Sequence, residues 1–167
     1  LASRFIKNNN EVVCYSNNQN EIDGLVSTRI SDKLPSYKID KRIEFTTDIK
    51  SAVSDSSLVV IAVPAKFASS VTKELSNYLT KNMHILIATK GIENDTCSFL
   101  NDVVEKNLNT NKIAVISGPT FAVDIVKEVP IGLTLATLNS STKELVKKLM
   151  VSDITKLRDT ADLIGVE

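Results

Sequence analysis

The sequence predicts an α/β domain with a doubly wound, mainly parallel sheet. Three apolar runs, "SLVVIAVP" (57–64), "HILIAT" (84–89) and "KIAVIS" (112–117), have strand length. The first is a near-continuous Val- and Ile-rich run, as expected of a strand buried on both faces. Between the runs lie segments whose apolar residues recur every three to four positions, the period of an amphipathic helix. Short connections join them, so strands and helices alternate as they do in a parallel sheet with crossover helices.

The elements follow in order. A short helical piece comes first, with Leu1, Phe5 and Ile6 on one face, and "EVVCY" (11–15) is a short strand. The stretch "SDKLPSYKIDK" (31–41) is irregular, either a surface loop or an excursion over the sheet. "RIEFT" (42–46) is a strand and "DIKSAVSD" a short helical piece. "SLVVIAVP" leads into the helix "AKFASSVTKELSNYLT", with Phe67, Val71, Leu75, Tyr78 and Leu79 on one face. After "HILIAT" and a turn, Phe99, Leu100, Val103, Val104 and Leu108 mark another helix. "KIAVIS" is followed by the helix "PTFAVDIVKE", where Pro119 suits the first turn. "IGLTLAT" (131–137) is a strand, and "STKELVKKLM" a helix with Ser141 or Thr142 as candidate caps. "DITKLRDT" (153–160) reads as a last, edge strand.

Both ends read as cut. A doubly wound domain begins with a strand and a glycine-rich turn before its first helix. Here no strand precedes that helix, and the five glycines hold no GxGxxG. Either this is not a dinucleotide fold, or its first strand and turn are missing. A missing central strand is expected to leave unpaired edges and apolar surface.

Bulk properties narrow the function. The chain has 167 residues, the size of one domain, and its 20 basic and 20 acidic residues cancel. No basic stripe interleaved with aromatics marks a nucleic-acid surface. No apolar run is long enough to span a bilayer, and no signal peptide opens the chain, so a cytoplasmic location is expected. Cys14 and Cys97 form no CxxC pair and are expected to be buried thiols. The lone His84 is expected at a strand edge rather than in catalysis. Metal-ligand clusters and Ser–His–Asp arrangements are absent from the pattern, so no metal is expected.

The informative residues stand at three strand ends: "AVPA" (62–65), "ATKGIE" (88–93) and "SGPTFA" (117–122). In a parallel sheet all three line one edge, where ligands of open α/β sheets bind. Lys90 offers a compact positive charge for a phosphate or carboxylate, and Gly91 allows a sharp turn. Gly118 exposes its backbone N–H, Thr120 supplies a hydroxyl, and a helix N-terminus follows. Each turn alone also reads as a plain structural corner; the three together point to a site.

The ordered set "VVIAVPA", "LIATKGIE", "VISGPTFA" and "DLIGVE" resembles the bacterial-type NAD(P)-dependent glycerol-3-phosphate dehydrogenases. The segment "LPSYKIDKRIEFTTDIKSAV" fits the same family, so the resemblance runs over nearly the whole chain. It implies one Rossmann-like dinucleotide-binding domain over residues 1–167. The implied activity is reduction of dihydroxyacetone phosphate to sn-glycerol 3-phosphate with NADH or NADPH, feeding phospholipid synthesis. Lys90, Gly118 and Thr120 would contact the phosphorylated substrate; Lys90 and Ala122 would contact the cofactor. The family often places an arginine for the NADPH 2′-phosphate after its second strand; here Asn17 offers a hydrogen bond to a ribose hydroxyl but no charge. The GxGxxG turn is expected before Leu1, and the proton-donor lysine, in a helical domain, beyond Glu167. A homodimer is expected of the full-length enzyme. The alternatives are a non-catalytic fragment of such an enzyme or another reductase of the same superfamily.

Overall fold

The structure, a computed structural model, describes residues 1–93 and 96–167. Part of the turn expected after "ATKGIE" therefore lies outside the described residues. A five-stranded sheet carries the order β5-β6-β7-β8-β9: Leu58–Ile61, His84–Ile87, Ile113–Ser117, Ile131–Ala136 and Thr155–Thr160. The first three run parallel, β8 is antiparallel to β7, and β9 runs with β8 at the far edge. A second, parallel pair joins β1 (Val12–Tyr15) to β4 (Ile43–Thr46).

The alternation of side chains across the strands builds two cores. On one face Ile85, Ile87, Ile113 and Val115 pack with Ala68 and Leu75 of α4 (Ala65–Leu75) and with Leu100 and Val104 of α5 (Leu100–Leu108). On the other, Leu86, Ala114 and Ile116 pack with Phe5 of α1 (Ala2–Lys7) and with Val146 and Met150 of α7 (Ser140–Met150). Helices therefore cover both faces, as in a doubly wound domain. Ile49 and Val53 of α3 (Ile49–Val53) enter the first core, so apolar contact rather than strand pairing links β4 to the large sheet.

Among the described residues β1 pairs only with β4, and β5 only with β6. One edge of each is open, and Val13 is 41% exposed. That open edge leaves its strand partly exposed. It also corrects the reading of "SLVVIAVP" as buried on both faces: Leu58, Val59 and Val60 are only half-buried.

Other differences have local causes. The irregular stretch holds a hairpin, β2 (Ile30–Ser31) with β3 (Leu34–Lys38); Pro35 is tolerated because the ribbon is short. A helix α2 (Gln19–Thr28) follows β1, and only Ile22 of it is buried, so it carries almost no apolar stripe. On α4 the buried face is Ala68, Thr72 and Leu75, and Phe67 lies at the surface; the helix ends at Leu75, so Tyr78, also exposed, lies beyond it. Asn139 caps α7, accepting from Thr142 N; Ser141 and Thr142 lie inside the helix. Cys14 is half-buried, with its thiol pushed up mainly by burial, but Cys97 is exposed at a positive φ of 54°, contrary to the buried thiol expected.

His84 opens β6 and is buried, its Nδ1 2.8 Å from Thr142 Oγ1 on α7. Burial, then the charge of Lys112, holds its imidazole below the usual range, so the fold favours the neutral ring. That stabilisation is full above the unfolded-state pKa of about 6.5 and is lost as pH falls through it. Thermal melts should therefore show stability dropping as pH falls below about 6.5, towards the lowered pKa of the folded state. His84→Asn should flatten that drop; a wild-type profile already flat there would contradict the assignment.

Candidate active site

The parallel register of β5, β6 and β7 brings Ile61, Ile87 and Ser117 to one sheet edge. The three turns seen in the sequence leave from there. Pro64 ends the first and stands just before α4, its fixed φ of −55° leading the chain into the helix. The second turn ties the other two together. Thr89 is buried, and its hydroxyl donates to Val63 O at 2.7 Å and reaches Ile61 O at 3.3 Å. Lys90 Nζ donates to Gly118 O at 3.3 Å. Adjacent side chains thus hold the first and third corners from opposite sides. Gly91 then reverses the chain at φ +105°, a conformation L side chains rarely adopt.

The third corner is tighter than the sequence suggested. Thr120 N donates to Gly118 O at 2.9 Å, closing a turn around Pro119. The helix α6 therefore begins only at Ala122 and ends at Val126, with Phe121 before it, so Pro119 lies outside its first turn. Gly118 has a packing reason to be glycine: a Cβ there would meet Leu133 Cδ2 at 2.8 Å and Gly132 O at 2.9 Å.

Of the residues singled out in the sequence, Lys90, Gly118 and Thr120 are gathered at this edge, with the Lys90 side chain exposed. Ala122 is exposed at the start of α6 and borders an apolar cavity of about 200 Å³, which Leu1, Cys14 and Phe45 also line. Asn17 is exposed just beyond the end of β1. Thr89 was not singled out; a hydroxyl at a strand end was its only signal. Among the described residues no group of His, Cys, Asp and Glu could hold a metal ion, and no described helix is long and apolar enough to cross a membrane.

The donor set can meet an anionic ligand. One exposed ammonium has a single carbonyl partner, backbone turns accept close approach, and exposed Phe121 and Val123 offer apolar surface beside them.

Residues 1–143 match the family model described as the NAD-dependent glycerol-3-phosphate dehydrogenase N-terminus. The chain belongs to that family. It is 32% identical over 167 residues to a glycerol-3-phosphate dehydrogenase [NAD(P)+] of Thermoanaerobacter sp. (strain X514), covering all of this chain and 50% of that protein. It is 31% identical over 159 residues to one from Wolbachia sp. subsp. Drosophila simulans, covering 94% and 48%. The crystal structure of glycerol-3-phosphate dehydrogenase from Coxiella burnetii superposes with a TM-score of 0.93 at 22% identity, covering 100% and 51%. That likeness establishes the Rossmann-like fold. The chain spans about half the length of the curated glycerol-3-phosphate dehydrogenases it matches.

The packing beneath the third corner gives a direct test. Gly118→Ala should cost about 1–3 kcal/mol of stability, the usual price of forcing an atom into a filled site. Gly132→Ala, whose Cβ meets nothing within 4 Å, should be near neutral in denaturant unfolding. Equal effects at the two positions would refute the close-packing account.

Proposed function

We propose that this chain is the nucleotide-binding half of an enzyme that reduces dihydroxyacetone phosphate to sn-glycerol 3-phosphate with NADH or NADPH. Residues 1–167 form one dinucleotide-binding domain in this reading. It is completed by a strand and glycine-rich turn before Leu1 and by a helical domain after Glu167. The open edges of β1 and β5 support the first of these additions, and the half-length coverage of relatives supports both.

The observation that carries the reading is the pair of ties from Thr89 and Lys90 to the neighbouring corners. They hold a cation and two turns in one fixed arrangement before any ligand arrives, which lowers the ordering cost of binding. When bound, the dihydronicotinamide supplies a hydride to the carbonyl carbon. Lys90 attracts the substrate's negative charge and polarises its carbonyl, contacting substrate and cofactor together. The Gly118 backbone and Thr120 hydroxyl orient the substrate. Ala122, small and exposed, lets the cofactor lie against the start of α6, and Asn17 hydrogen-bonds a ribose hydroxyl. The proton for the alkoxide comes from a lysine of the helical domain. The enzyme works in the cytoplasm, as a homodimer, in glycerophospholipid synthesis.

Extending the coding sequence tests the domain assignment: a strand with GxGxxG upstream and a helical domain downstream support it, and unrelated flanks or stop codons refute it. In the full-length protein, NADH oxidation should depend on dihydroxyacetone phosphate; dependence on a different carbonyl compound would favour another reductase of the fold. Lys90→Ala should lower kcat/KM on the order of 100-fold, equivalent to about 2.7 kcal/mol of transition-state stabilisation. Near-normal turnover would remove Lys90 from the mechanism.

A further inference from the structure

We propose that the corner between β1 and α2 selects NADH against NADPH, with Glu21 as the discriminating residue. The inference rests on the dehydrogenase reading above and goes beyond it to the identity of the cofactor.

The corner is built so that a carboxylate folds back onto the exit of β1. Ser16 N donates to Thr46 O at 3.2 Å, fixing Ser16 as the last residue still tied to β4. Ser16 Oγ donates to Glu21 Oε2 at 2.7 Å. The same hydroxyl oxygen accepts from Asn18 N at 3.3 Å, and Asn18 Oδ1 accepts from Glu21 N at 3.3 Å as the helix cap. Glu21 is thereby held on the first turn of α2, where it answers the positive end of that helix.

In dinucleotide folds an acidic residue some twenty positions past the glycine-rich turn accepts from the 2′-hydroxyl of the adenosine ribose, whereas an arginine accommodates a 2′-phosphate. The chemistry at this corner is of the first kind. A ribose diol donates to Glu21 and to Asn17. A phosphate monoester carries close to two negative charges and would stand beside the Glu21 carboxylate.

The nearby cations do not reverse this sign. Arg29, the only basic residue between positions 9 and 32, is engaged elsewhere: its Nη1 donates to Ile43 O at 2.6 Å and its guanidinium covers the Phe45 ring at 5.3 Å. Lys33 Nζ lies 3.8 Å from Glu21 Oε1, but its side chain is 88% exposed, so the pair is solvated and weak. Lys33 partly offsets Glu21 and supplies no bidentate fork for a phosphate.

The test is binding to the full-length protein, measured for NADH and NADPH by nicotinamide fluorescence, and for AMP and adenosine 2′,5′-bisphosphate by calorimetry. NADH should bind roughly tenfold or more tighter than NADPH, with AMP ahead of the bisphosphate. Glu21 is exposed, so Glu21→Gln should fold normally; it should tighten NADPH several-fold and weaken NADH several-fold, because the charge-assisted bond to the ribose is lost. Glu21→Lys should invert the preference. NADPH binding as tightly as NADH, or a ratio unmoved by both substitutions, would overturn the inference while leaving the dehydrogenase reading intact. Failure of a folded full-length protein to bind either dinucleotide would instead overturn that reading, and this inference with it.

Discussion

The constraint on which the rest depends is the pairing of β6 between two parallel neighbours. Hydrogen bonding on both sides leaves β6 no freedom of register, and its four residues are all buried. A one-residue slip would exchange Ile85 and Ile87 for Leu86 and tear both cores at once. Because β6 cannot move, the residues that follow it emerge at a fixed height. Thr89 and Lys90 are thereby positioned to reach carbonyls of two corners some 26 to 28 residues away in the chain. The site is thus a by-product of sheet register, made specific by two side chains.

Strands buried on both faces announce themselves in sequence, since their interior positions are apolar on both sides; Ile85 to Ile87 and Ile113 to Ile116 are legible for that reason. Elements that bury little were not. The helix α2 rests on Ile22 alone, and the hairpin β2–β3 is half polar with a proline inside it. The length of α6 was overestimated because its early residues are spent in a turn closed by Thr120 N on Gly118 O, a bond with no sequence signature. Of the site, the glycines and Lys90 were legible since sharp corners and exposed charge limit the residue types allowed. The Thr89 ties were not, being contacts between distant segments.

Among the described residues the five-stranded sheet and the β1–β4 pair are joined by side chains rather than by a common ladder. Apolar residues of α3 reach the core below β5 and β6, and Arg4 of α1, though buried, donates to Val129 O in the turn before β8. Lys7, one helical turn on, pairs with Glu128 in that turn, while Asn8 and Asn10 donate to carbonyls at the end of α7. The first helix is therefore riveted to the far half of the chain by polar bonds, on the face that α6 and α7 share. Its placement does not rely on the open edges of β1 and β5.

Gly118 sits against β8 with a neighbour's main-chain oxygen on one side and a leucine methyl on the other. The leucine can be trimmed by substitution; the oxygen cannot, because it belongs to the backbone of a paired strand. No change of side chain elsewhere restores room for a larger residue at this position. Any side chain at residue 118 therefore bears on the backbone pairing of β7 with β8, and its strain is carried by the sheet rather than by a side chain that can swing away.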